Sequence, residues 1–233
     1  MHPSYTAEPR NPSFDPNAAR QLREALGMTH AHVSYGIHAA YGLQVPPAVV
    51  AAWELGEAFP NETELMALAG ALWCSPGDLL GAPSTLREHR VAQGLAPIDV
   101  AMRIGMDAQE YERMEQSGKW TGNDNQAGKL AEVLNLPLRP FFQVTGRDKR
   151  LAELLQSAVD TRWQAYVKKI GKLVPLPKPQ LEAALKSLHS DYQSRIAATL
   201  SRGAVADNAA ADAREFLEHI VDHFWERAER AGG

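Results

Sequence analysis

Histidines are the side chains in this sequence with the clearest capacity to bind a metal ion, and three of them lie close together at His30, His32 and His38. A zinc site requires three or four converging ligands drawn from histidine, cysteine and carboxylate groups. Separations of two and eight residues do not place these histidines on one face of a helix, and no cysteine or carboxylate completes a set. We therefore expect no metal site.

Groups for catalysis are equally hard to assemble. The sequence offers no serine–histidine–aspartate or cysteine–histidine grouping, no glycine-rich phosphate loop and no paired inward carboxylates. Cys74 is the single cysteine, which rules out an internal disulfide, and beside Trp73 at the end of an apolar helix it is expected to be a small core residue. The pattern predicts a protein that is not an enzyme and has no cofactor.

Cationic side chains are concentrated in one stretch of a chain whose formal net charge is −4. Residues 147–178 carry eight Lys and Arg against three Asp and Glu, whereas residues 1–81 carry three against eight. The basic residues of this stretch that could meet a polyanion are Arg147, Lys149, Arg150, Arg162, Lys168, Lys169 and Lys172. They form either the solvated face of an amphipathic helix or the phosphate-neutralising surface that the rest of the chain lacks.

Two similar helical segments, about sixty residues apart, have to position these groups. In the later one, Val100 and Ile104 fall where two short crossing helices need apolar contacts, and Gly105 falls where the chain must turn between them. Each segment continues into a helix that opens with a capping pair, Asn61 with Glu64 and Asn123 with Gln126. The repetition predicts two domains of five helices each, here named the first copy (residues 17–82) and the second copy (residues 83–146).

The two copies resemble the lambda-repressor-like, XRE-type helix-turn-helix family over about residues 17–146. The matching residues of the second copy are Arg90, Gly94, Leu95, Val100, Ala101, Ile104, Gly105, Met106, Tyr111, Met114, Glu115 and Gly118. Those of the first copy are Arg23, Gly27, Val45, Val50, Trp53, Glu54, Gly56, Pro60 and Asn61. The tandem form with a helical tail is similar to regulators of filamentous actinobacteria. The resemblance implies an all-α fold whose third helix in each domain enters the major groove of DNA.

Base-reading positions follow from this resemblance. In the second copy they are Ala108, Gln109 and Arg113. Gln109 could bond an adenine edge through two hydrogen bonds, and Arg113 could bond a guanine or a phosphate. Asp107, Glu110 and Glu112 crowd the same helix, and their carboxylates would be repelled by phosphates.

Phosphate contacts would then come from the basic residues that follow this copy, Lys149, Arg150 and Arg147. The family's phosphate-contacting glutamine at the start of helix two is here Pro97, which has no donor.

The first copy is poorly suited to reading DNA. Its base-reading positions are Pro47, Ala48 and Ala52, none of which can donate a hydrogen bond, so only a thymine methyl could be recognised there. His30 occupies the phosphate-contact position of helix two, and it is either a phosphate ligand or a surface histidine on a polar face.

The first copy contains an insertion that the second copy lacks. Gly27 to Glu54 is 27 residues, whereas Gly94 to Glu115 is 21, so the first copy has six additional residues. They lengthen either the second helix or the turn around residues 42–45. We expect them to change how the third helix is presented, which makes the first copy a structural or protein-binding module.

Residues 147–233 show apolar residues at three- and four-residue spacing in three segments, which predicts a bundle of three amphipathic helices of about 20 residues. The predicted breaks are residues 171–180, which contain three prolines, and residues 201–208 around Gly203. The last helix is apolar over nearly half its circumference through Phe216, Ile220, Val221, Phe224 and Trp225. Leaving this face in water is unfavourable, so we expect a homodimer that pairs through residues 147–233.

The sequence thus predicts a flexible arm at residues 1–16, two tandem helix-turn-helix domains at 17–82 and 83–146, and a C-terminal dimerisation or sensing domain at 147–233. No apolar run reaches the roughly 20 residues that span a bilayer, and no signal pattern opens the chain, so we expect a cytoplasmic protein. The leading function is a transcriptional regulator that binds double-stranded DNA. The alternatives are an adaptor whose helix-turn-helix domains bind another regulator or the transcription machinery, and a small-molecule receptor in the C-terminal bundle.

Overall fold

A computed structural model of the chain describes residues 13–199 and 204–232, with side chains described for 13–198 and 211–232. The predicted all-α fold is confirmed, since helix is the only regular secondary structure among these residues, and one isolated antiparallel bridge joins Phe14 to Leu80. The chain divides into two compact units, Met1–Thr145 and Gly146–Gly233. In the described part no helix is long and apolar enough to cross a membrane.

Nine α-helices are described in the first unit, within residues 13–145. Those of the first copy are α1 Pro16–Ala25, α2 His30–Tyr41, α3 Pro47–Leu55 and α4 Glu62–Ala71, followed by a 3-10 helix at Pro76–Leu79. Those of the second copy are α5 Leu86–Ala92, α6 Pro97–Ile104, α7 Ala108–Ser117, α8 Asp124–Val133 and α9 Leu138–Val144. Each copy has an apolar core, centred on Ile37, Trp53 and Leu65 in the first and on Ile104, Tyr111 and Leu130 in the second, and Val91 of α5 packs into the first-copy core.

Side-chain caps begin these helices where the sequence predicts them. Asn61 and Glu64 exchange hydrogen bonds at the start of α4, and Asn123 and Gln126 do the same at α8. The Thr29 hydroxyl accepts a hydrogen bond from the His32 backbone N–H at the start of α2. These bonds satisfy amide groups that have no partner inside the helix, so they fix where each helix begins.

The end of the predicted N-terminal arm is ordered. Residues 1–12 lie outside the described residues, but Phe14 is buried and packs on the first-copy core. The Asp15 carboxylate accepts hydrogen bonds from the N–H groups of Asn17 and Ala18, and Pro16 is the first residue of α1. The prediction of a flexible arm is therefore wrong for residues 13–16, because a buried aromatic side chain and a helix cap hold them.

The six additional residues of the first copy are shared between helix and turn. Helix α2 has 12 residues and α6 has 8. Five residues connect α2 to α3, whereas three connect α6 to α7. Tyr41 is exposed at the end of α2, and its ring lies against Gly70 of α4, where a side chain would collide with it. The added helical turn thus points away from the core.

Within its described residues, 146–199 and 204–232, the second unit contains five α-helices and not the three long ones predicted. They are α10 Asp148–Asp160, α11 Val167–Leu173, α12 Lys178–Thr199, α13 Ala204–Glu218 and α14 Ile220–Gly232, with a 3-10 helix at Trp163–Ala165. The first predicted helix breaks at Thr161, whose backbone leaves the helical region while its hydroxyl bonds the Ser157 carbonyl. The predicted break at residues 201–208 lies partly outside the described residues, and Ala204 already belongs to α13.

Helix α14 does not leave an apolar face in water. Phe216, Ile220, Phe224 and Trp225 are each at most 3% exposed. Phe216 stacks between Tyr192 of α12 and His223 of α14, so the bundle covers its own aromatic side chains. The apolar surface that motivated pairing through residues 147–233 is therefore buried within the chain, and that reason for a homodimer is wrong.

Candidate nucleic-acid interface

Helix α7 carries the predicted base-reading residues, and its two faces differ. Asp107 caps its start by accepting a hydrogen bond from the Glu110 N–H at 3.1 Å. Tyr111 and Met114 are buried in the second-copy core, whereas Gln109 and Arg113 are exposed on the other face. The structure therefore brings the two predicted donors together on one free surface, and the Arg113 Nε donates to the Gln109 carbonyl at 3.2 Å.

Ala108, the third predicted base-reading residue, lies at the first position of α7. It is half-buried and packs against the second-copy core. Its methyl group is consequently shared between the protein interior and the surface, and only part of it is free to meet a base.

A buried ion pair fixes the inner side of α7. Arg90 of α5 is 1% exposed, and its guanidinium donates to both carboxylate oxygens of Glu115 at 2.7 and 3.0 Å. It also donates to the Leu95 carbonyl at 2.7 Å. Burial opposes the charge of Arg90, yet these hydrogen bonds and those to Glu62 raise the pKa of its guanidinium above the ordinary value. The α7 helix is thus tied to α5 by a charged pair that cannot reach water.

The first copy contains the same arrangement. Arg23 of α1 donates to both carboxylate oxygens of Glu54 at 2.6 and 2.8 Å, and to the Met28 carbonyl at 2.9 Å. Burial acts to raise the pKa of Glu54, but the hydrogen bonds from Arg23 and His30 hold it below the ordinary value. From the sequence, these arginines and glutamates were predicted only as residues that match the family, and not as ion pairs. Their recurrence in both copies was the signal that could have identified the pair.

Glu62 at the start of α4 connects the two copies. Its carboxylate accepts hydrogen bonds from Arg90 at 2.6 and 3.1 Å and from the Arg87 Nε at 3.1 Å. Ser13 adds a second link, since its hydroxyl donates to Glu88 of α5 at 2.6 Å. The residue that holds α7 in place is therefore also bonded to the first copy.

His30 is engaged with a carboxylate of its own copy. Its Nε2 lies 3.1 Å from Oε2 of Glu54, which is the buried partner of Arg23. Both alternatives drawn from the sequence, a phosphate ligand and a surface histidine, miss this contact. His32 instead accepts from the Thr29 N–H at 3.3 Å, and His38 lies 3.3 Å from Gln44. No group of three metal-binding side chains converges anywhere in the described residues.

The first copy offers little positive charge to a phosphate. Arg20 and Arg23 are the only Lys or Arg residues between residues 13 and 81. Arg23 pairs with the Glu54 carboxylate, whereas half-buried Arg20 donates to the Glu54 carbonyl, which does not neutralise its charge. Pro47 and Ala48 are exposed at the start of α3, but neither has a side-chain donor. Between residues 13 and 81 this copy therefore has no donor at these two base-reading positions and only one half-buried cation for phosphate contact.

Large apolar side chains are exposed on the first copy instead. The five with the largest exposed fractions are Tyr35, Tyr41, Leu55, Phe59 and Trp73. Trp73 is 85% exposed and has a positive φ of 53° at the end of α4. The adjacent Cys74 packs partly on the core, and burial raises the pKa of its thiol to about 11, so it is protonated at neutral pH.

The predicted phosphate-binding residues belong to the second unit, at the start of α10. Lys149 and Arg150 are exposed and Arg147 is half-buried. Arg150 forms an ion pair with Glu153 at 2.7 Å, in which both side chains are about two-thirds exposed. Exposed pairs of this kind contribute at most about 1 kcal/mol, so a phosphate could replace the carboxylate.

No protein-family model matches this chain, and neither a curated protein nor a solved structure does.

Proposed function

We propose that this protein is a transcriptional regulator of the lambda-repressor-like helix-turn-helix type, which binds double-stranded DNA through α7 of the second copy. The observation that carries the proposal is the two-sided character of α7. Its inner face is fixed by Tyr111, Met114 and the Arg90–Glu115 pair, while Gln109 and Arg113 are exposed on its outer face. A reading helix needs both properties, because base contacts require donors held in a fixed register.

Carboxylates on α7 oppose DNA less than the sequence suggests. Asp107 accepts a hydrogen bond from the Glu110 N–H at the start of the helix, where the helix dipole offsets its charge, and Glu115 is buried against Arg90. Glu112, an exposed acid next to Arg113, and half-buried Glu110 remain as opposing charges. Lys119, just beyond the helix, and Arg103 on α6 are exposed cations. The acids and cations around α7 together give only a modest attraction to phosphates, so recognition depends on the donors Gln109 and Arg113.

The direct test is a binding titration of the full chain against random-sequence and genome-derived duplexes over a salt series. We expect affinity to fall linearly with the logarithm of salt concentration, since phosphate contacts release counterions. Arg113→Ala should weaken the preferred duplex by about 1–3 kcal/mol, and Lys129→Ala, an exposed cation of α8, is the control. Absence of salt-dependent binding to any duplex would contradict the proposal.

A second function, docking of another protein on the first copy, is favoured by a separate observation. This copy exposes Tyr35, Phe59 and Trp73, and among residues 13–81 half-buried Arg20 is its only Lys or Arg not paired with a carboxylate. Aromatic residues are enriched at protein interfaces. With purified transcription machinery, Trp73→Ser should reduce the regulatory effect and leave the affinity for DNA unchanged. An unchanged regulatory effect would exclude Trp73 from such an interface.

Two further expectations accompany the regulator. A cytoplasmic location follows from its proposed role on DNA. Homodimerisation through residues 147–233 stays a prediction, and because Phe224 and Trp225 are buried it would have to use polar surface. Sedimentation of the full chain at micromolar concentration decides between one copy and two.

A further inference from the structure

Unpaired positive charge is concentrated on one short element of the second unit. Residues 161–181 contain five Lys and Arg and no Asp or Glu. Four of these cations are here named the α11 surface. Lys168, Lys169 and Lys172 lie on α11, and Arg162 lies at the start of the 3-10 helix that precedes it. All four are exposed, and within the described residues none forms an ion pair.

Most cations elsewhere in this unit are engaged with carboxylates. Arg227 pairs with Asp191, Arg195 with Asp212 at 3.0 Å, and Lys178 with Glu182 at 3.7 Å. The α11 surface is different because no acid lies within its own stretch of sequence. Its charges repel one another in the free protein, and an anionic partner would relieve that repulsion.

Packing holds the α11 surface in place. Ile170 and Val174 are fully buried and anchor the inner side of α11. Lys168 and Lys172 are four residues apart, so they are neighbours on one face of the helix, about 5–6 Å from each other. The Lys169 Nζ lies 5.1 Å from the centre of the Tyr166 ring, a contact that orients its ammonium group. These cations are presented by a packed helix and not by a loose tail.

The character of the surrounding surface selects among anionic partners. Membrane-surface helices bury an exposed apolar face in the lipid, but the apolar residues of α11 point into the bundle. No large hydrophobic side chain is exposed among the described residues of the second unit, so a protein partner would find no apolar centre there. The phosphate backbone of a nucleic acid requires only positive charge.

We infer that the α11 surface binds the phosphate backbone of double-stranded DNA and supplies affinity that α7 alone lacks. The inference rests on the proposed function, because it adds a sequence-independent contact to a chain that reads bases through α7. Phosphate contacts provide most of the salt-dependent binding energy of such proteins but no sequence information. The two surfaces therefore have separable effects on affinity and on specificity.

The test compares two triple variants of the full chain that lose the same charge. Lys168→Gln with Lys169→Gln and Lys172→Gln removes three of the four cations of the α11 surface. Lys186→Gln with Arg214→Gln and Arg230→Gln removes exposed cations from α12, α13 and α14 and serves as the control. Affinity for a short random-sequence duplex is measured from about 50 to about 200 mM salt, and circular dichroism checks that both variants remain folded.

The α11 variant should lose three phosphate contacts. The negative slope of log K against log salt should therefore become less steep by about 3, and every duplex should be bound about tenfold or more weakly. The control should keep the original slope. If Arg113→Ala impairs preferred binding while the α11 variant does not change the slope, the α11 inference is wrong and the proposed function stands. If the unmodified chain binds no duplex, both are wrong. If the α11 variant instead loses binding only to anionic vesicles or to an acidic protein, the α11 inference is overturned.

Discussion

Buried charge pairs are the residue-scale feature on which the position of α7 depends. Glu115 is enclosed with Arg90, which is 1% exposed and cannot be solvated if its partner is removed. Breaking a buried pair from one side is strongly destabilising, because the remaining charge stays in the interior. Glu62 still bonds Arg90, so part of the charge would remain compensated.

Glu115→Ala should therefore lower the free energy of unfolding by about 3 kcal/mol, near the lower end for a buried pair. Urea denaturation of the full chain measures this change. The matched control is Glu112→Ala, which removes an exposed carboxylate of the same helix and should change stability by less than about 0.5 kcal/mol. Equal effects of the two substitutions would show that the pair does not hold α7.

His89 is the second residue-scale feature, and it makes stability depend on pH. It is 9% exposed on α5, its Nε2 has no hydrogen-bond partner within the described residues, and burial lowers its pKa below the ordinary value. The folded state therefore binds this proton less readily than the unfolded state does. The resulting stability is present above the unfolded pKa of about 6.5 and is lost as the pH falls below it.

The first copy has Leu22 at the position that corresponds to His89, one residue before the paired arginine. His89→Leu should consequently reduce the loss of stability between about pH 7 and about pH 5.5. Thermal unfolding at a series of pH values measures the difference. The unmodified protein, unfolded over the same pH series, is the reference. An unaltered pH dependence in His89→Leu would refute this assignment.

At the scale of the element, the turn between α6 and α7 sets the direction of the reading helix. Gly105 has a φ of +72°, and no atom lies within 4 Å of where its side chain would be. Gly105→Ala should therefore destabilise the protein by about 1–2 kcal/mol through backbone strain alone. Gly128 in the interior of α8 also has open space around it but has no positive φ.

Gly128→Ala is thus a control of opposite sign, expected to stabilise the protein by about 1 kcal/mol because alanine favours helix. Denaturant titrations of the two variants give both values. If Gly105→Ala were neutral or stabilising, the left-handed conformation of this turn would be refuted.

Helix starts could be predicted from the sequence because each depends on a few adjacent residues. Asn61 with Glu64 and Asn123 with Gln126 form hydrogen bonds within one turn, so local pattern is sufficient. The break at Thr161 was missed because apolar spacing continues across it. Spacing alone does not reveal that a hydroxyl competes for a helix carbonyl.

Contacts between distant residues account for the remaining differences from the sequence analysis. Phe14 packs on a core formed by residues far along the chain, and Glu62 bonds an arginine of the other copy. His30 contacts Glu54, which is 24 residues away in the sequence, and this contact is neither of the two roles expected for it. The family resemblance predicted that Gln109 and Arg113 lie on the surface of the third helix of the second copy, and both are exposed. Whether they touch DNA stays a prediction.

At the scale of the whole molecule, the division between the two compact units falls at Gly146, which has a φ of +66° and is exposed. The first unit has two apolar cores to which α5 contributes on both sides, and the bundle covers its aromatic residues. A chain ending at Thr145 should therefore unfold cooperatively by itself. Thermal unfolding followed by circular dichroism measures this, and a non-cooperative transition would contradict the division into units.

Reading of DNA by α7 is the central claim, and the most direct measurement is the base preference of the full chain. Selection from a random duplex library, followed by sequencing, should give a preferred site for the unmodified protein. With Arg113→Ala, the preference should be lost at one base pair and kept at the others, with a decrease of about 1–3 kcal/mol in affinity for the site. An identical preferred site for both proteins, or no enrichment of any sequence by the unmodified chain, would contradict the claim.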